Sequence, residues 1–188
     1  SVLVSGVAYT LVPHRDVYGH GTFMASLAAG RETADFTGGA PDAEIIAVKL
    51  KKARPFYREK YCVPAEQEHA YESSAVMLGV EYILRKAREL GRPVVICLGL
   101  GSNAGSHDGY SVFEEYLSGV SIQKGVCLCA AAGNEAEARH HTGGILQPGE
   151  KPGKVDLKVG ENAGDVYIAV WNTVADRISL SVRSPSGE

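Results

Sequence analysis

The sequence predicts an α/β fold, a parallel sheet with helices on both faces, and three observations predict it. Residues 94–98 and 126–132 are uninterrupted apolar runs, the pattern of strands buried on both faces. The stretches around them carry the 3.6-residue apolar period of helices, giving the order strand, helix, strand, helix, strand. After Asn134 the chain turns glycine-rich and then alternates apolar and polar at period two, which marks a second, antiparallel module. The predicted division is a partial α/β domain over residues 1–153 and the beginning of an all-β module over 154–188.

Each element has its own reason. Residues 2–9 form an apolar run short enough for a strand. Residues 20–30 are small and apolar on nearly every side, as in a buried helix closed by Gly30. Gly38 to Asp42 is turn chemistry, and residues 45–50 read as a buried strand. Residues 51–71 are charged and aromatic without a clear period, an irregular surface excursion. Residues 72–90 are the strongest helix: Val76, Val80, Ile83, Leu84, Ala87 and Leu90 share one face, and Gly91 with Pro93 stops it. Residues 99–109 form a glycine-rich loop. A helix follows over 111–124, with Ser111 as N-cap and Glu114 at the capping-box position. Beyond a turn-rich stretch at 140–152, residues 154–159, 166–171 and 178–182 read as half-exposed strands. No internal repeat is present.

Composition excludes several functions. The 188 residues are 45% hydrophobic and 22% charged with net charge −3, an ordinary globular balance with enough chain for a sizeable core. No basic stripe suits nucleic acid. No apolar run reaches the ~20 residues that span a bilayer, so neither nucleic acid nor membrane is an expected partner. Residues 1–10 are apolar but lack the basic start of a signal peptide. Of the four cysteines, Cys97, Cys127 and Cys129 lie in the strand runs, where they read as small buried hydrophobes. Cys127 and Cys129 share one face at the outer limit of disulfide reach, and C-x-C is the wrong spacing for a zinc knuckle. Free thiols, Cys62 included, favour a reducing or sheltered compartment over secretion.

The chemistry begins at residues 18–31, YGHGTFMASLAAGR. His20 stands at the start of a helix between two glycines, which let backbone or substrate approach the imidazole. A helix N-terminus disfavours imidazolium, so an unpartnered histidine there stays neutral and able to accept a proton. His-Gly-Thr alone suits a capping or core histidine better than a catalytic one. Three further segments shift the balance: GAPDAEIIAVK at 39–49, VVICLGLG at 94–101 and AAAGNE at 130–135.

In this order the four segments resemble the subtilisin-like serine proteases, over residues 15–135. The resemblance implies a three-layer subtilisin-like fold in which His20 is the general base and Asn134 donates its amide to the oxyanion. It implies that Leu98, Gly99, Leu100 and Gly101 pair with an extended peptide substrate. Ala130, Ala131, Ala132 and Gly133 then form the opposite wall of the S1 pocket. Segments RHH at 139–141 and GSHDG at 105–109, with the long stretch 51–74, resemble clostridial-type subtilases, which include proteases of spore germination. That group carries a jelly-roll insert between the asparagine and the serine, and residues 154–188 are similar to its opening strands. The implied partners are a protein or peptide substrate and a cleaved propeptide. No cofactor or metal is implied, with calcium left open, and a spore-associated or intracellular location is favoured over secretion.

Two parts of the triad are missing. No Gly-Thr-Ser motif or Gly-x-Ser-x-Gly elbow occurs. Ser102, Ser106 and Ser186 are loop serines without an evident base. Asp16 lies only four residues before His20, outside the family's aspartate context. The chain is therefore expected to be a fragment, inert on its own, of a serine endopeptidase. The alternative is a catalytically dead subtilase that binds a partner or signal in germination. A metal site built from His14, His20, His107, His140 and His141 matches no known ligand spacing.

Overall fold

The computed structural model describes residues 12–67 and 69–187. The expected strand at 2–9 lies outside them. The elements are α1 (His20–Ala29), α2 (Pro55–Lys60), α3 (Ser73–Leu90), β1 (Val94–Leu98), α4 (Val112–Ser121) and β2 (Val126–Ala130).

The strands pair in parallel, Val94 opposite Val126 through Leu98 opposite Ala130, with α4 as the crossover. Helix α3 buries Val76, Gly79, Val80, Leu84 and Ala87 along one face, while Leu90, expected on that face, is exposed. It ends in a Schellman turn: Gly91 adopts φ 62°, its N–H donates to Arg88 O, and Arg92 N–H donates to Ala87 O. Helix α4 opens with the expected capping box, Ser111 Oγ accepting from Glu114 N–H and Glu114 Oε2 from Ser111 N–H. Val80 and Leu84 from α3, Ile96 from β1 and Val120 from α4 form the core. Tyr116 reaches across from α4 to donate its hydroxyl to Met77 O at 3.1 Å.

Both helices cover the same face of the sheet. The other face carries Val95, which is 70% exposed, and Cys97, Cys127 and Cys129, also exposed. This corrects the reading of these cysteines as buried. An uninterrupted apolar strand records two faces that avoid water, and among the described residues only one is covered. All four thiols are free, with Cys127 Sγ and Cys129 Sγ 4.0 Å apart.

Other segments depart from expectation. Residues 20–29 form the predicted helix, but none of its residues is buried. Residues 45–50 form no ladder; Val48 and Leu50 lie instead against Gly79 of α3, where an added Cβ would sit 3.2 Å from Val48 Cγ1. The excursion at 51–71 contains α2, started by Pro55 at its first turn. Arg54 anchors it through two guanidinium bonds to Glu72, at 3.0 and 3.1 Å. The turn at 38–40 covers the end of α1: N–H groups of Gly38, Gly39 and Ala40 donate to Gly30, Leu27 and Ala28 carbonyls. A Cβ at Gly38 would lie 2.4 Å from Gly30 N, so the approach requires glycine.

Residues 154–159, 166–171 and 178–182 form no ladder among the described residues, and Val155, Leu157, Val159, Ile178, Leu180 and Val182 are exposed. Strands of a sandwich hold their form by burying alternate side chains against a second sheet, and none packs on them here. Among the described residues no helix is long and apolar enough to cross a membrane.

Candidate active site

The carboxyl ends of β1 and β2 stop side by side, where ligands bind in parallel α/β sheets. The pairing extends one bond past the ladder, Ala131 N–H to Leu98 O at 3.0 Å. Both strands then enter glycine-containing segments. Gly101 and Gly133 approach closely: a Cβ at Gly101 would lie 4.0 Å from Gly133 Cα. Gly133 has φ 90°, a conformation glycine adopts without strain. The structure thus brings 98–101 and 130–133 side by side.

His20 arrives from the other side. It is the first residue of α1, and its Nε2 lies 3.2 Å from Gly99 O. A Cβ on Gly99 would sit 3.3 Å from that nitrogen and 3.2 Å from Met24 Cε, so a bare backbone is what admits the imidazole. A carbonyl oxygen only accepts, so this contact requires the proton on Nε2 and leaves Nδ1 as acceptor.

The turn that presents His20 is built on Asp16, whose importance the sequence reading missed. The N-cap position of α1 is Gly19, at φ 81°, which has no side chain to cap with. Asp16 caps from three residues earlier. Its Oδ2 accepts from the Thr22 N–H and hydroxyl, each at 2.8 Å, and its Oδ1 from the N–H groups of Gly19 and Tyr18, at 2.8 and 3.1 Å. The Thr22 bonds first, then Gly19 and Tyr18, hold its carboxyl well below the usual carboxylate range. Asp16 is thus engaged with the turn and with the helix N-terminus. An acidic residue shortly before a glycine-started helix was the available signal.

Asn134 follows Gly133 and is exposed, and its side chain makes no hydrogen bond among the described residues. Its neighbour Glu135 accepts from Asn103 Nδ2 at 2.6 Å and from His140 Nδ1 at 3.0 Å. Those bonds, Asn103 foremost, hold the Glu135 carboxyl below its ordinary range. His107 donates from Nε2 to Asn103 O at 3.4 Å, and its ring meets His141 at 5.6 Å between centroids. Among the described residues no group of three or more His, Cys, Asp and Glu side chains is gathered to hold a metal ion.

The loop serines are engaged locally. Ser102 Oγ accepts from Ala104 N–H, Ser106 donates to Asp108, and Ser186 shares a hydrogen bond with Ser184. Two open depressions, of about 340 and 400 Å³, lie at the amino ends of the strands around Pro93 and Gly125. They lie at the opposite end of the sheet from the Gly99 carbonyl that His20 meets.

Comparison with known proteins adds to this geometry. A model of the subtilase family, peptidase S8, matches residues 5–185. Among solved structures, the Clostridium perfringens CspB protease is similar, with TM-score 0.62 and 30% identity over 74% of this chain and 28% of that one. The chain therefore spans 28% of the length of that protease. No curated protein matches.

Proposed function

This chain belongs to the subtilase family, and from that premise we propose that it is the histidine- and asparagine-bearing part of a serine endopeptidase. The observation that carries the proposal is the seat of His20, with Nε2 3.2 Å from Gly99 O at the carboxyl end of β1. It stands beside the wall where an extended peptide would pair along Leu98 to Gly101, with Ala130 to Gly133 opposite.

In this reading His20 takes the proton of a serine that lies outside the 188 residues. For that step Nε2 must accept, so the imidazole leaves Gly99 O and carries its proton on Nδ1, the tautomer a triad aspartate holds. Asn134, with its amide uncommitted, donates to the oxyanion. The likeness to the CspB protease, with the segments at 105–109 and 139–141, supports placing the parent among clostridial-type subtilases of spore germination. Residues 154–188 would then open an inserted jelly-roll module, whose remaining strands supply the partner that its alternating residues require. A peptide substrate and a cleaved propeptide are the partners this assigns.

The test is peptide hydrolysis by the full-length protease. His20→Ala is expected to abolish turnover. Asn134→Ala should lower kcat by about 10²–10³-fold with little change in KM, the loss documented for the oxyanion-hole asparagine of subtilisin, a family relative. A folded full-length protein without turnover would favour the binding-protein alternative. Turnover unchanged in His20→Ala would overturn the assignment.

A further inference from the structure

We infer that Glu135 is a positioning residue for Asn134, clasping the loop after β2 to the loop after β1. The inference rests on the reading of Asn134 as an oxyanion donor, and it adds what holds that donor in place. Such a donor works only when preorganised, because a side chain that must be ordered during the reaction loses much of its advantage. Asn134 has little to order it. It is exposed, it follows a glycine at φ 90°, and its side chain has no hydrogen bond among the described residues. Backbone pairing between the two segments ends at Ala131, three residues earlier.

Glu135 supplies the missing tether. Its Oε2 accepts from Asn103 Nδ2 at 2.6 Å, a bond spanning 32 residues of sequence, and from His140 Nδ1 at 3.0 Å. Asn103 is itself held from its own loop, its carbonyl accepting from His107 Nε2. The His107 and His141 rings form a second contact between the same loops. The residue directly after the candidate donor is thus fixed to the loop that continues from the segment where substrate would pair. Asn103 is a neutral donor, so the clasp needs an acceptor oxygen at position 135, which the carboxylate supplies as a charge-assisted bond; His140 Nδ1 is the second group on that oxygen, at 3.0 Å.

The test uses the ¹⁵N-labelled full-length protein and reads no turnover, so it stands or falls separately from the oxyanion role. In Glu135→Ala and Asn103→Ala, the Asn134 side-chain amide signals are expected to shift. Amide exchange at Gly133 to Glu135 is expected to quicken about two- to fivefold, as suits a partly exposed contact. In the parent chain the Asn103 amide signal should titrate with Glu135 as the pH falls through the acid range. Glu135→Gln, which can still accept from Asn103, should keep the Asn134 signals near their original positions but lose that titration. Asn134 signals and exchange unchanged in both alanine variants, with the fold intact, would overturn the inference. So would an Asn103 signal indifferent to Glu135.

Discussion

At His20 the chemistry turns on which nitrogen carries the proton. The contact with Gly99 O requires Nε2–H, whereas a general base acting on serine needs Nε2 bare. Asp16, the nearest carboxylate in sequence, cannot enforce the other tautomer, because both its oxygens serve Thr22, Gly19 and Tyr18. Long-range ¹H–¹⁵N spectra of the chain at neutral pH are therefore expected to show the Nε2–H tautomer at His20. In Gly99→Ala the added methyl would lie 3.3 Å from Nε2, so the imidazole should leave the carbonyl and Nδ1–H should rise. A wild-type Nδ1–H tautomer, or a spectrum unmoved by the substitution, would contradict the contact. His20 and Asn134 could be picked out in the sequence because glycines flank or precede them in recognisable order. Glu135 could not, since a carboxylate's partners are decided by how loops fold onto it, and for Asp16 the only signal was its place shortly before a glycine-started helix.

At the scale of elements, α3–β1–α4–β2 is the packed unit whose loops meet His20 from α1. Leu84 is 2% exposed and packs with Val80, Ile96 and Val120, so Leu84→Ala should cost about 2–5 kcal/mol in denaturant unfolding. Val95, on the bare face, is the counter-case: Val95→Thr should change stability by no more than ~0.5 kcal/mol. A large loss at Val95 would mean that something covers that face. These four elements were legible because local signals and tertiary packing agree there: a six-residue apolar stripe, a capping box, a glycine stop and two apolar runs. Helix α2 was hidden because six residues are too few to show a period, and only Pro55 marks its start. The strand expected at 45–50 failed for the converse reason, since Val48 and Leu50 lie against Gly79 of α3 instead of a neighbouring strand.

For the whole molecule, the subtilase match covers residues 5–185, and the loop bearing Asn134 and the carbonyl that His20 meets lie at the carboxyl ends of one parallel pair. What was not legible is what the described residues leave uncovered: the second sheet face and the alternating segments beyond residue 154. Period and composition say that such surfaces avoid water, and say nothing of what meets them. The central claim is that His20 serves a serine outside this chain. Labelling with a fluorophosphonate probe, followed by mapping of the modified residue, tests it most directly. The full-length protease should be labelled on a serine beyond residues 1–188, and His20→Ala should abolish that labelling, while the 188-residue chain stays unlabelled. Modification of Ser102, Ser106 or any other serine within the chain, or full-length labelling indifferent to His20, would contradict it.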